Sequence, residues 1–243
     1  MSQPDLTPVP HQTLEERGGP ASIVARQSDD HAVLHRLMQQ YEAAPDDEAR
    51  GRIVADLAQR ALRHAFAEET VLFPAYRQHL PGHGDELTAH VEGEHQQIND
   101  LLEELQDADP AAAGYDDRVR RVFTLIDSDA REEEDVMLPR LQSVVDDEEL
   151  RTIGDAWEAA RATAPTRPHP RVPRRPPGNA LAALPLAVSD RIKDGLDRLP
   201  RGARRVSSAA VLALAACGGA AVAAGVRRRR RRSVRAPRFG LRR

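Results

Sequence analysis

Residues 64–74 have the sequence HAFAEETVLFP, and residues 129–139 repeat the same frame as DAREEEDVMLP. Aligned on their prolines, the two segments pair His64 with Asp129 and Glu68 with Glu133. Residues four apart on a helix lie about 40° from each other around its axis, so each couple projects from one face. The repeat therefore predicts two quasi-symmetric helices, each presenting a ligand couple to a common interior.

Apolar residues at helical spacing continue on both sides of these segments, through residues 20–162. Breaks rich in Pro and Gly divide that region. They predict helices over residues 22–43, from residue 47 to beyond residue 74, over residues 85–107, from the break at 109–114 through residue 141, and over residues 147–162. Apolar residues make up 40% of the chain and aromatic residues only 3%, which favours an all-α fold. Four helices of about 20 residues with short connections predict an antiparallel four-helix bundle.

Histidines and carboxylates are the available metal ligands of this bundle. The single cysteine, Cys217, lies in a C-terminal apolar run, so the chain can build neither a disulfide framework nor a thiolate site. The first and third predicted helices supply His31 and His95. Imidazole combined with carboxylate suits iron or manganese, and such groups are costly to bury without partners. We therefore expect a metal site inside the bundle, with His35, four residues after His31, as an alternative ligand.

The motifs on the four predicted helices resemble those of the hemerythrin HHE cation-binding family. They are, in order, Asp30-His31, His64-x-x-x-Glu68-Glu69, Glu94-His95-x-x-Ile98 and Glu133-Glu134. The resemblance covers about half of the chain. It implies a hemerythrin-like bundle with a non-haem di-iron centre and a role in handling oxygen, nitric oxide, peroxide or iron. It also implies terminal imidazoles from His31, His64 and His95, with Glu68 and Glu133 bridging the two metals.

Two positions differ from the usual family pattern. Asp129 stands where the family usually has His, and Val91 stands where many members have a second histidine four residues before His95. His90 cannot replace that histidine, because five residues correspond to about 140° around a helix. Asp129 can still ligate iron through oxygen, but an anion in place of an imidazole favours the ferric state. We therefore expect an oxidase, peroxidase-like or iron-sensing site rather than reversible oxygen carriage.

Two other functions are open on the sequence alone. If the His and Glu couples face solvent, the protein is a metal-free helical adaptor whose acidic surface binds a basic partner. If the iron pair turns over peroxide, the protein is a di-iron oxidoreductase. The leading interpretation remains a di-iron protein whose partner is a small diatomic or peroxide ligand.

The two ends of the chain carry opposite charge. Residues 1–165 hold 35 Asp and Glu against 15 Lys and Arg, a balance of −20, whereas residues 166–243 hold 3 against 20, a balance of +17. We interpret residues 1–19 as a flexible arm and residues 20–162 as the bundle. Residues 163–180, with six prolines, form a stiff linker, and residues 181–243 form a separate tail.

The tail contains an apolar run of 21 uncharged residues, 206–226, which is long enough to cross a bilayer and is followed by ten arginines. No secretory signal is legible at the N-terminus, so the bundle is expected in the cytoplasm. A single span would then translocate the arginines, against the positive-inside rule. The tail therefore predicts membrane association, as a span, a hairpin or an interfacial segment on anionic headgroups. Non-specific nucleic-acid binding by the arginines is a less favoured alternative, because Phe239 is the only aromatic residue that accompanies them. Specific nucleic-acid binding is not expected.

Overall fold

The computed structural model describes residues 6–169 together with residues 186, 187 and 190. Regular structure in this part of the chain is entirely helical. No helix among these residues is both long and apolar enough to span a membrane. The apolar run 206–226, the arginines after it and most of the predicted linker lie outside the described residues.

Seven α-helical segments are described. They are α1 (Ile23–Glu42), α2 (Asp47–Ala67), α3 (Phe73–His79), α4 (Gly84–Gln106), α5 (Tyr115–Glu132), α6 (Leu138–Gln142) and α7 (Asp147–Thr163). Ser22, Asp46 and Asp146 cap α1, α2 and α7, each accepting a hydrogen bond from a backbone N–H of the first helical turn. The predicted helices are confirmed, while the antiparallel order of four of them stays a prediction.

Two short π-helical segments make α2 continuous with α3 and α5 continuous with α6. They are Glu68–Leu72 and Glu133–Met137, and in each the residue after the segment donates its N–H to the carbonyl of the first glutamate. A proline stands two residues after the end of each segment, at Pro74 and Pro139. Because proline lacks an N–H and its ring clashes with the carbonyl four residues earlier, the wider turn lets the helix continue past it. The repeated spacing between glutamate and proline thus produces the same local geometry twice.

Two apolar clusters form the core, one towards each end of the helices. The first includes Leu34, Leu37, Met38, Tyr41, Leu57, Leu102, Val119 and Val122. The second includes Ile23, Val24, Leu72, Phe73, Val91, Leu138, Leu141, Ile153 and Trp157. Along α1, α2, α4 and α5 the histidines and carboxylates of the predicted site fall between members of the two clusters. Apolar residues on both sides therefore shield a buried polar layer from water.

Segments at both ends of the described region pack against the helices. Val9, in the segment interpreted as a flexible arm, is fully buried in the second cluster, and the Arg17 guanidinium donates to its carbonyl at 2.8 Å. After α7, the backbone N–H of His169 donates to Asn99 on α4. Composition indicated loops here, but local burial and hydrogen bonds hold these segments on the helices.

Candidate metal centre

The six predicted ligands lie together in the buried polar layer. They are His31 on α1, His64 on α2, Glu68 and Glu133 at the starts of the two π-helical segments, His95 on α4 and Asp129 on α5. Each is less than a tenth exposed, and the side chains of both glutamates are completely buried. Because the π-helical segments begin at the glutamates, the repeat noted in the sequence places both carboxylates at equivalent points of the fold.

Four of these residues form a first group: His31, His64, Glu68 and Glu133. One potential ligand atom from each lies within 4.8 Å of the others. The Nε2 atoms of His31 and His64 are 3.2 Å apart, and that of His64 is 2.8 Å from Glu68 Oε1. The His31 Nε2 atom is 3.2 Å from Glu133 Oε2. The group therefore offers two imidazole nitrogens and two carboxylate oxygens to one point.

A second group shares one residue with the first. It consists of Glu68, His95 and Asp129. The His95 Nε2 atom lies 3.3 Å from Glu68 Oε2 and 3.3 Å from Asp129 Oδ2. Glu68 thus directs Oε1 towards the first group and Oε2 towards the second. A carboxylate shared in this way is suited to bridging two cations.

Each of the three imidazoles is oriented by a carboxylate on another helical segment. His64 Nδ1 lies 2.8 Å from Asp30, His31 Nδ1 lies 2.9 Å from Glu134, and His95 Nδ1 lies 3.0 Å from Glu69. A carboxylate only accepts hydrogen bonds, so each Nδ1 is the donor and each neutral ring presents its Nε2 lone pair to the interior. This is the arrangement in which outer carboxylates orient metal-binding histidines.

Three pairs of adjacent residues in the sequence motifs therefore combine a potential metal ligand with a residue that orients a histidine. In Asp30-His31, Glu68-Glu69 and Glu133-Glu134, one residue faces the interior and its neighbour orients a histidine on another segment. Sequence reasoning quoted these pairs but assigned no role to Asp30, Glu69 or Glu134. Adjacent residues on a helix point about 100° apart, and this angle could have indicated that the two residues of each pair contact different groups.

The residues present fit a pair of cations. Without a cation, the Nε2 atoms of His31 and His64 lie 3.2 Å apart and face the Glu68 carboxylate, so only a proton or a cation between these atoms makes the arrangement favourable. Both oxygens of Glu133, together with Glu68 Oε2 and Asp129 Oδ1, are buried and accept no hydrogen bond within the described residues. Buried oxygens without donors are costly, and bound cations would satisfy them. Three imidazoles with three carboxylates are ligands that iron or manganese accepts.

Electrostatics agree with this donor set. Burial, followed by the charges of Glu68 and Asp129, raises the pKa of Glu133 to about 8. Burial alone would lower the pKa of His31, but the close approach of the Glu133 and Glu134 carboxylates outweighs it and raises that pKa to about 9. Both groups therefore hold a proton at neutral pH while no cation is bound, and bound cations would displace these protons.

Helix α7 covers one side of the first group. Arg161 donates to Asp30 Oδ1 at 2.9 Å, and its guanidinium lies over the Trp157 ring, 4.6 Å from the centroid. The same indole meets the His64 ring edge-on at 5.7 Å between centroids. Arg161 therefore positions the Asp30 carboxylate, which in turn orients the His64 ring. Sequence analysis gave Trp157 and Arg161 no role, because neither lies within the repeated motif.

Two further buried groups approach the centre. Gln27, four residues before His31, donates its amide N–H to Glu68 Oε1 at 2.7 Å. The Tyr76 hydroxyl has no hydrogen-bond partner within the described residues. Burial, with the charges of Glu133, Glu68 and Asp129, raises the pKa of Tyr76 well above its usual value. Tyr76 thus keeps its proton beside the carboxylates, where it can donate a hydrogen bond to a small ligand.

The structure distinguishes His31 from the alternative His35. The His35 side chain is 58% exposed and lies 3.6 Å from Asp127. Its partner is thus a partly exposed carboxylate and not one of the carboxylates of the centre. His90 is also exposed, as expected from its angle around α4. Val91 is fully buried in the second apolar cluster.

An all-helical bundle with a buried layer of histidines and shared carboxylates defines a helical cation-binding protein. Residues 22–141 match the family model described as the hemerythrin HHE cation binding domain. The chain belongs to this family, which confirms the resemblance carried by its motifs. The matched residues end before α7, so Trp157 and Arg161 lie beyond them.

Two curated relatives are similar to this chain. An uncharacterized hemerythrin-like protein of Schizosaccharomyces pombe is 25% identical over 171 residues, which cover 70% of this chain and 84% of that protein. A DNA nickase of Nostoc sp. is 28% identical over 137 residues, which cover 55% of this chain and 37% of that protein. No solved structure matches the chain.

Replacing Asp30 with alanine is expected to weaken cation binding about 10- to 100-fold without unfolding the bundle, because His64 loses the acceptor that orients it. The measurement is the dissociation constant for Fe²⁺ from anaerobic competition with a chromophoric chelator. Asp29→Ala is the matched control, since Asp29 is the preceding residue and is exposed. Equal affinities for the two variants would contradict the orienting role of Asp30.

Proposed function

We propose that this protein is a non-haem di-iron protein that binds or senses oxygen, nitric oxide, peroxide or iron through the buried centre. The observation that carries the proposal is the shared Glu68 carboxylate, with one oxygen in each of two adjacent ligand groups. His31, His64 and Glu133 would hold one iron with Glu68, and His95 and Asp129 would hold the other. Glu133 is the second bridging candidate, because neither of its oxygens accepts a hydrogen bond.

A bound iron pair would supply a change of oxidation state and an open position for a small ligand. The protein residues supply the surroundings of that position. Apolar side chains such as Phe73, which stacks on His95 at 5.6 Å between centroids, exclude water from the centre. Tyr76 holds a proton next to the carboxylates. The resulting dry site, with one buried donor, suits a diatomic molecule or a peroxide better than a large substrate.

The carboxylate content of the centre supports ligand sensing or peroxide chemistry over reversible oxygen carriage. Asp129 adds an anion to the His95 group, and anionic oxygen ligands favour ferric iron. Tyr76 supports the second candidate, a di-iron oxidoreductase that consumes peroxide, because a buried hydroxyl can donate to a leaving oxygen.

The test is metal analysis and visible spectroscopy of the full chain reconstituted anaerobically with Fe²⁺ and then exposed to air. We expect about two irons per chain and a visible charge-transfer absorption that bleaches on reduction. Peroxide consumption by the loaded protein then separates the oxidoreductase from the sensor. A colourless protein that takes up no iron would overturn the di-iron proposal and favour the metal-free adaptor.

Cellular setting is the remaining part of the proposal. We place the bundle in the cytoplasm and assign the run 206–226, with the arginines after it, to anionic membrane surfaces. The balance of −20 over residues 1–165 would repel the phosphates of nucleic acid. For that reason we do not extend the activity named for the Nostoc relative to this chain.

A further inference from the structure

A third group of potential ligands lies at the surface of the bundle, outside the buried centre. It consists of His90 and Glu94 on α4 and Glu132 at the end of α5. The His90 Nε2 atom is 3.7 Å from Glu94 Oε1 and 3.8 Å from Glu132 Oε2. These separations are too long for hydrogen bonds. Two ligands bound to one ion at about 2.1 Å each lie roughly 3–4 Å apart, so the spacing suits a cation between them.

Glu94 connects this group with the interior. Its side chain is 9% exposed, and its second oxygen, Oε2, is buried without a hydrogen-bond partner within the described residues. Glu94 also directly precedes His95 in α4. Its carboxylate therefore has one oxygen facing the exposed His90 and the other buried inside the bundle.

Access to this group from solvent is open. Gly93, on the same face of α4 as His90, is exposed, and a β-carbon added there would meet no atom within 4 Å. The His90 side chain is 64% exposed, so a cation that still carries water molecules can reach it.

We propose that His90, Glu94 and Glu132 form a divalent-cation site through which cations reach the buried centre. One imidazole and two carboxylates suit Fe²⁺, Mn²⁺ or Zn²⁺, with water completing the coordination shell. Glu94 then transfers the cation inward, because its Oε1 atom faces His90 at the surface and its Oε2 atom is buried. The transfer step rests on the proposed function of the buried centre, whereas cation binding at the surface does not.

The first experiment tests surface binding alone. In the full-length double variant His64→Ala/Glu68→Ala, which disables the buried centre, we expect one Mn²⁺ to bind per chain, measured from the loss of the free Mn²⁺ signal in electron paramagnetic resonance. Adding His90→Ala and Glu132→Gln should abolish that binding. Adding His35→Ala and Glu103→Gln, which replace an exposed histidine and an exposed glutamate, should leave it unchanged. No Mn²⁺ binding in the double variant, or binding that survives the loss of His90 and Glu132, would overturn the site.

The second experiment tests transfer. In the otherwise unchanged protein, His90→Ala/Glu132→Gln should slow anaerobic Fe²⁺ uptake about tenfold, since an acidic opening concentrates cations, while the final iron content stays the same. Unchanged uptake rates would overturn the transfer step even if Mn²⁺ binds. If the unchanged protein takes up no iron but the His64→Ala/Glu68→Ala variant binds Mn²⁺, the di-iron proposal fails and the surface site stands.

Discussion

Glu68→Ala is expected to remove both cations from the buried centre, the largest loss that any single ligand substitution should cause. Glu68 Oε1 lies 2.8 Å from His64 Nε2, and Glu68 Oε2 lies 3.3 Å from His95 Nε2, so one carboxylate belongs to both ligand groups. Iron per chain after anaerobic reconstitution should fall from about two to near zero. Far-UV circular dichroism should remain helical, because most residues of both apolar clusters are untouched.

Substitutions confined to one group provide the comparison for Glu68. Asp129→Ala affects the His95 group alone and should leave the first cation bound, giving about one iron per chain. Glu103 is an exposed glutamate on α4, and the Glu103→Ala variant should bind as much iron as the unchanged protein. If the Glu68→Ala variant bound as much iron per chain as the Asp129→Ala variant, Glu68 would not bridge the two groups.

Gly154→Ala is expected to destabilise the fold, because α7 packs closely against the backbone at the start of α1. A β-carbon at this position in α7 would collide with the carbonyl oxygen of Ala21 and approach the Ile23 nitrogen at 2.9 Å. Both atoms are backbone at the start of α1, where the Ser22 cap fixes the chain, so α7 must move instead. Overpacking of this kind costs about 1–3 kcal/mol in the free energy of unfolding. Displaced α7 would also withdraw Arg161 from Asp30, so iron affinity should fall together with stability.

Gly93→Ala is the matched control for Gly154→Ala. Both glycines lie in helix interiors, but a β-carbon at Gly93 meets nothing within 4 Å. The Gly93 substitution should therefore raise the free energy of unfolding by about 0.5–1 kcal/mol, as expected for alanine in an open helical position. Thermal and urea unfolding of the two variants measures the difference. Equal stabilities would show that α7 is not pressed against the α1 backbone.

Much of the candidate site could be predicted from the sequence because its residues are local on single helices. The couple His64 and Glu68 is visible from a spacing of four residues, and the proline alignment extends it to Asp129 and Glu133. His31 and His95 followed from the resemblance of their motifs. All six residues lie in the two buried ligand groups. Their role as metal ligands remains a proposal until iron is measured.

Contacts between side chains on different helices could not be predicted from the sequence in the same way. Asp30 orients His64 and Glu134 orients His31 across sequence separations of 34 and 103 residues, and no spacing rule links such pairs. The burial of Val9 was missed for the same reason, since a polar, Pro-containing segment indicates a loop but not where that loop packs. Such positions depend on which faces of the other helices leave room.

The sequence by itself determined the helices and the repeated carboxylates, because these depend on propensity and spacing within about 20 residues. It also determined the family, through motifs that occur in order along the chain. Tertiary structure alone decided that Glu68 is shared between two ligand groups, that α7 covers His64 through Trp157 and Arg161, and that His90, Glu94 and Glu132 meet at the surface. Those features depend on distances between segments far apart in the chain, which are set only when the apolar clusters pack.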